Sequence, residues 1–248
     1  SNLKKKEVYI PVEIKPREFV SNLLLSGELA KIGFRVYLGS KKTIDNLINN
    51  KENHGGIYFY KGGGGTVDKF REISKKVESI AVLDQEVSPT VNNYGMLKSR
   101  FVKGSLKFVS RLYYIGDEAK KTAIELLDEI DSSKIKALGW PRVDLWRPSL
   151  HHIWLKEIEE IKSRFPEPYI LFTSDFGVNS KNLLHECTLR MEKRGSKKPK
   201  NEIQWYKNLY KKKYKKFNEF IYFITELSKD KETPKIIIRP HPAEDHSV

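Results

Sequence analysis

The chain has 248 residues, with 46 Lys and Arg against 32 Asp and Glu, for a formal charge of +14. A hydrophobic share of 39%, with 12 Tyr, 12 Phe and 4 Trp, excludes a disordered chain. The lone Cys187 excludes an internal disulfide framework or a cysteine-based zinc site, and the charge surplus favours anionic partners.

An unpaired thiol fits a reducing compartment. No run approaches the roughly 20 apolar residues of a membrane span, and the opening SNLKKKEVYIP lacks a signal-peptide core. The expected location is cytoplasmic.

In chain order, EVYIPVEI (7 to 14) reads as a strand, PREFVSNLLLSGELAKIG (16 to 33) as a helix and FRVYLGS (34 to 40) as a second strand. The alternation continues with a helix at 41 to 50, GIYFYKG (56 to 62), a helix at 67 to 78, SIAVLDQE (79 to 86) and a helix near 92 to 103. RLYYIGD (111 to 117), a helix at 118 to 130 and KIKALGWP (134 to 141) follow. Apolar, β-branched strands separated by helices predict an α/β fold, with a parallel sheet covered on both faces. Residues 1–145 are therefore read as a Rossmann-like domain, and 146–248 as a second, partial one.

In that second part HHIWLKEIEEIKSRF (151 to 165) predicts a helix, PEPYILFTSDF a strand, residues 203 to 228 a long helix and PKIIIRPHP a final strand. Residues 177 to 202 are polar and carry no clear period. Two strands and a helix are too few for a free-standing sheet, so this domain is expected to be cut short or completed from outside the chain.

Ligands of open parallel sheets bind beyond the carboxyl ends of the strands. The first strand ends in Glu13, Lys15, Arg17 and Glu18, read either as solvated helix-start charges or as a basic clamp on an anionic sugar or phosphate. Gly63 and Gly64 of KGGGG permit close backbone approach, as a tight turn or an acceptor-facing loop, without the spacing of a Walker or dinucleotide loop. Asp84 and Glu86 are candidate general bases at the end of the fourth strand; a helix cap or a pair with Arg17 is the other reading.

Arg142, in GWPRVD, belongs either to a hinge or to a phosphate contact. Ser174 and Asp175 are suited to a phosphate or ribose, or to capping a helix. Arg239 and His241, stiffened by Pro240 and Pro242, suit a leaving phosphate. Lysines interleaved with Trp205, Tyr206, Tyr210, Tyr214 and Phe217 read as a solvated amphipathic helix, as a nucleic-acid stripe, or as a surface for acidic lipid.

IPVEIKPRE (10 to 18), GFRVYLGS (33 to 40), LDQE (83 to 86), GWPRVDLWRP (139 to 148), YILFTSDF (169 to 176) and IIIRPHP (236 to 242), in this order, resemble the bacterial surface carbohydrate biosynthesis proteins. These are glycosyltransferase-like proteins of the two-domain GT-B architecture. The last three segments are also similar to capsule Kdo transferases and teichoic-acid glycerophosphotransferases.

The resemblance implies transfer of a sugar, such as a CMP-activated ulosonic acid of the sialic, pseudaminic, legionaminic or Kdo type, to a glycan or protein acceptor in capsule or lipopolysaccharide synthesis. It implies an acceptor-side first domain and a donor-side second one, with His241 and Pro242 on the CMP phosphate and an acid among residues 84 to 86 as base. No cofactor or metal is implied beyond the nucleotide-sugar itself. The family pattern is Asp-Glu-Glu-Gly where this chain has Asp84, Gln85, Glu86 and Val87, which moves the base to Asp84 or Glu86. The family also continues past RPHP, so the chain is expected to be truncated.

The alternatives are a non-catalytic membrane-associated scaffold or binding module of a polysaccharide assembly, and a nucleotide-sugar 2-epimerase of the same architecture. The basic helix reads first as a solvated amphipathic helix, and its lipid reading would add peripheral contact with an anionic inner membrane. Nucleic acid is not expected as a partner, because ordered strand-end motifs are not what a polyanion binder needs.

Overall fold

The computed structural model describes residues 6–62, 67–86, 97, 100–194, 200–242 and 244–247. It divides into two compact units, 1–153 and 154–248, each described by itself.

The first unit runs β1 (Glu7–Val12), α1 (Lys15–Lys31), β2 (Arg35–Ser40), α2 (Lys41–Asn49), β3 (Ile57–Lys61), α3 (Val67–Ser74) and β4 (Ser79–Asp84). β5 (Arg111–Tyr114), α4 (Asp117–Leu126), β6 (Ile135–Ala137) and the short α5 (Pro141–Asp144) complete it. The six strands form one parallel sheet in the order β2-β1-β3-β4-β5-β6. The helix expected near 92 to 103 falls largely outside the described residues; Leu97 is helical, and Arg100 to Lys103 are not.

Local chemistry sets these boundaries. Pro16 begins α1, where a missing N–H costs nothing. Gly33, at φ 97°, ends it: Phe34 N–H donates to the Leu29 carbonyl and Gly33 N–H to that of Ala30, the double bond of a Schellman turn. Ser40 caps α2 by accepting the Thr43 amide.

Buried Tyr58, Val82 and Leu112 on the strands meet Ile48, Phe70 and Ala123 on the helices to form the core. Pro11 lies in a central strand, where a proline removes a ladder donor. β1 pairs with β2 through Val12, yet its pairing with β3 stops at Tyr9↔Tyr58, before Pro11. The sheet therefore opens between β1 and β3 at their carboxyl ends.

The second unit contains α6 (Leu155–Arg164), β7 (Tyr169–Thr173), α7 (Lys181–Arg194), α8 (Lys200–Leu227) and β8 (Lys235–Arg239). β7 and β8 pair in parallel from Tyr169↔Lys235 to Thr173↔Arg239. Phe172 meets Phe220 and Phe223 edge-on, and Phe176 meets Phe217, which seats α8 on one face of the pair. Tyr169, Leu171 and Ile238 stand exposed on the strands. α7 occupies the stretch without sequence period, begun by the Ser180 hydroxyl accepting the Leu183 amide.

Candidate functional site

In the order β2-β1-β3-β4-β5-β6 the chain turns to one side after β1 and to the other from β3 onward. The carboxyl ends of β1 and β3 thus flank a topological switch point, where α/β folds bind ligands. Charged side chains from five places in the sequence converge there.

Lys61, the last residue of β3, is central. Its ammonium pairs with Glu18 at 2.7 Å, Glu13 at 3.0 Å and Glu86 at 3.8 Å. Glu13 also pairs with Lys41, and Glu86 with Arg17 at 3.4 Å and Arg100 at 2.9 Å. Arg100 ends the chain of pairs on Asp84 at 3.0 Å. Burial pulls the Lys61 ammonium down, and its hydrogen bonds to Glu18 and Glu13 outweigh that and raise it. Burial likewise lifts Glu13, but Lys41 and Lys61 leave its carboxyl below the usual range.

Asp84 and Glu86, the two candidate bases, sit in different surroundings. Asp84 is fully buried, with both oxygens on Arg100. A Cβ at Gly62 would lie 2.5 Å from the Asp84 Cα and Cβ, so only glycine lets β3 pass this aspartate. Of these two, Glu86 reaches solvent, with a side chain one-third exposed, as that of Glu13 across the web also is. Arg17 joins Glu86, whereas Lys15 places its ammonium over the Phe19 ring, 5.8 Å from the centroid. Gly63 and Gly64 lie outside the described residues.

Arg142, in α5, approaches the same edge. Its Nη2 donates to the Gln85 carbonyl at 3.1 Å and its guanidinium stacks 5.2 Å from the Trp140 ring centre. The Arg142 Nε, the Trp140 Nε1 and the Gln85 Oε1 are buried and without a partner. A void of about 10 Å³ lies among Arg17, Glu18, Lys61, Gly62, Gln85, Glu86 and Arg142, three cations against two carboxylates. That is the volume of one water-sized group.

A larger hollow of about 930 Å³ lies at the amino ends of β1 and β2. One of its lining carboxylates, Glu7, is engaged by Tyr9, Tyr37, Lys51 and Arg35. Glu52, His54 and Glu78 also line it, at the end of the sheet away from the switch point.

In the second unit the loop after β7 closes around Glu244. This nine-tenths-buried carboxylate accepts the Ser174 hydroxyl, the amides of Phe176 at 2.6 Å and Gly177 at 3.2 Å, and that of His241 at 3.1 Å. Burial raises the Glu244 carboxyl, but these donors together hold it below the ordinary value. Asn179 adds a reciprocal pair of bonds with the Asp245 backbone, at 2.7 and 2.8 Å.

Ser174, expected on a phosphate, therefore faces the chain's own carboxylate. Asp175, Arg239, His241 and Pro242 are exposed at the ends of the two strands. Along α8, Trp205, Lys212, Lys216 and Phe223 recur at spacings of seven, four and seven, which puts these exposed residues on one line of the helix.

The sequence points to Glu13, Arg17, Glu86 and Arg142 by their positions at strand ends. Lys61 stood in the same place, as the first residue of KGGGG, and is readable by that rule. Trp140 stood beside Arg142 in GWPRVD, whereas Arg100 and Glu244 carry no such mark.

A six-stranded parallel sheet with covering helices, followed by a second strand-helix-strand unit, defines an α/β protein of GT-B-like architecture. Among solved structures, UDP-N-acetylglucosamine 2-epimerase from Rickettsia bellii is similar over 98% of this chain and 70% of that chain, with a TM-score of 0.50 and 12% sequence identity. At that identity the likeness shows the fold. No family model matches the chain, and no curated protein matches it in sequence. No helix among the described residues is long and apolar enough to cross a membrane.

Proposed function

We propose that this chain is a glycosyltransferase of bacterial surface glycan synthesis that uses a nucleotide-sugar donor, CMP-linked by the resemblance of its strand-end motifs. The observation that carries the reading is Glu86: a solvent-reaching carboxylate at the switch point of a GT-B-like sheet, held in place by Arg17, Lys61 and Arg100. A positioned carboxylate of this kind can take the proton of an acceptor hydroxyl.

The hydroxyl oxygen then bonds to the anomeric carbon, the bond from that carbon to the donor phosphate breaks, and its electron pair leaves with the nucleotide. Arg239 and His241, exposed at a strand end of the second unit, are that unit's own candidates to bind a nucleotide phosphate. Asp84 serves here as the anchor of Arg100, which in turn fixes Glu86.

The structural likeness to a UDP-N-acetylglucosamine 2-epimerase supports a second reading, epimerisation of a nucleotide-sugar. Incubation with CMP- and UDP-linked sugars separates the two. Acceptor-dependent release of CMP supports transfer, and conversion of a UDP-sugar to its epimer without acceptor supports the second reading. Neither product would overturn both.

The lysine line of α8, with Trp205 and Phe223 at its ends, supports peripheral docking on an anionic cytoplasmic membrane, where such glycans are assembled.

A further inference from the structure

The charges at the carboxyl edge of the first sheet do not balance, and the imbalance has an address. Among the described residues, Lys41, Lys61, Arg17 and Arg100 pair with Glu13, Glu18, Glu86 and Asp84, four cations against four carboxylates. That web is neutral in itself. Arg142 stands beside it with no carboxylate within ion-pair distance, held by the Gln85 carbonyl and the Trp140 ring.

A partly buried guanidinium with an idle Nε carries a desolvation cost that a hydrogen-bonded anion removes. Its charge is disfavoured by burial first and by the Arg17 guanidinium second, which together outweigh the support of Glu86 and Glu18. Two arginines side by side at a ligand edge are what an anion would hold together.

The unfilled polar atoms have matching chemistry. Arg142 Nε and Trp140 Nε1 are donors, whereas Gln85 Oε1 is an acceptor on a side chain more than nine-tenths buried. Gln85 and Arg142 both line the void of about 10 Å³. It admits one oxygen atom, with the remainder of a ligand outside it at the half-exposed Arg17.

We infer that Arg142, with Gln85, Trp140 and Arg17, forms a monoanion subsite that takes one oxyanion of a substrate together with a neighbouring hydroxyl. The hydroxyl enters the void, where it accepts from Arg142 Nε and donates to Gln85 Oε1, the oxyanion stays at the mouth against the guanidiniums, and the Trp140 ring holds Arg142 in place. Carboxylate and phosphate share this chemistry, so both are tested. The inference rests on the strand-end edge being the substrate side of a sugar-handling enzyme, but it concerns binding and not turnover.

The test is calorimetric titration of glycolate, a hydroxycarboxylate, and separately of inorganic phosphate, at low ionic strength. The full chain is compared with Arg142→Ala, Arg142→Lys and Gln85→Glu. One anion is expected to bind with unit stoichiometry, and which one it is identifies the group. Arg142→Ala should weaken it at least tenfold.

Gln85→Glu places a carboxylate beside Arg142. It should abolish anion binding while raising the thermal midpoint, a gain that a residue with a purely structural role would not give. If Arg142→Ala fails to fold, Arg142→Lys and Gln85→Glu decide the matter. Absence of binding by both anions, or undiminished binding in Gln85→Glu, overturns the subsite. Anion binding without nucleotide-sugar turnover would keep the subsite and remove the sugar-transfer reading, and turnover without anion binding would do the reverse.

Discussion

Asp84 and Arg100 meet through two parallel hydrogen bonds, Nε to Oδ2 at 3.1 Å and Nη2 to Oδ1 at 3.0 Å. The same guanidinium reaches the Glu86 carboxylate and the Gly62 carbonyl, at 2.9 and 2.8 Å. One arginine thus ties the ends of β3 and β4 together and orients the carboxylate that faces solvent.

Removing the buried charge should therefore cost stability. Asp84→Asn removes the fully buried one of the two carboxylates that hold the Arg100 guanidinium and is expected to lose about 3–5 kcal/mol, as broken buried pairs do. Glu86→Gln, at the exposed end of the same network, should lose about 1 kcal/mol or less. Urea denaturation at neutral pH measures both, and equal losses would contradict the assignment of Asp84 as anchor.

Activity should show the opposite ranking per unit of stability lost. If Glu86 takes the acceptor proton, Glu86→Gln should lower turnover by about 10²–10⁴-fold while the protein stays folded. The measurement is nucleotide release with saturating donor and acceptor. A fall in apparent affinity alone, at unchanged turnover, would make Glu86 a binding group.

Acid should loosen the second unit through Glu244. Its folded carboxyl titrates below the ordinary value of 4.5 because four donated hydrogen bonds outweigh burial. A depressed acid stabilises the fold above its unfolded value and loses that contribution as pH falls through the folded one. Stability should thus decline as pH drops below about 4.5, and Glu244→Gln should flatten that decline. Denaturation midpoints between neutral and acidic pH provide the comparison.

Docking on lipid should depend on the α8 line. Lys212→Ala with Lys216→Ala should weaken binding to phosphatidylserine vesicles by roughly 20–30-fold, taking each surface lysine at about fivefold. Trp205→Ala should weaken it at all salt concentrations, whereas the lysine effect should fade in high salt. Co-sedimentation reads both. Binding that ignores these changes, or equal binding to neutral vesicles, would remove the membrane from the list of partners.

The strands were legible because their signal is local. EVYIPV and SIAVLD are apolar and β-branched, and burial on both faces of a parallel sheet needs no alternation; KIIIR carries the same β-branched signal in the less buried pair of the second unit. α7 was not legible, since Lys181, His185, Glu186 and Arg190 interrupt its few apolar positions and its start depends on the single hydroxyl of Ser180.

At the site, Glu13, Arg17, Glu86 and Arg142 followed from position, because each stands at or just after a strand end. The Arg17–Glu86 pair was one of the readings as well, but the other partners did not follow. Glu18 reads as a solvated helix-start acid, yet it is buried and accepts the Glu13 amide at 2.8 Å while pairing with Lys61. Arg100 arrives from a segment with no strand-end position, so its grip on Asp84 is fixed by tertiary approach alone. Which carboxylate stays in reach of solvent is decided by that approach.

The β7–β8 pairing has a kinetic corollary. Tyr169 meets Lys235 across both long helices, so the two strands are neighbours in space but remote along the chain. Closing so wide a loop costs entropy before any ladder bond repays it. The α7–α8 hairpin, built from contacts nearer in sequence, shortens that gap when it forms. Helix assembly therefore gates this small sheet, and a proline placed in α8 would slow strand pairing without touching either strand.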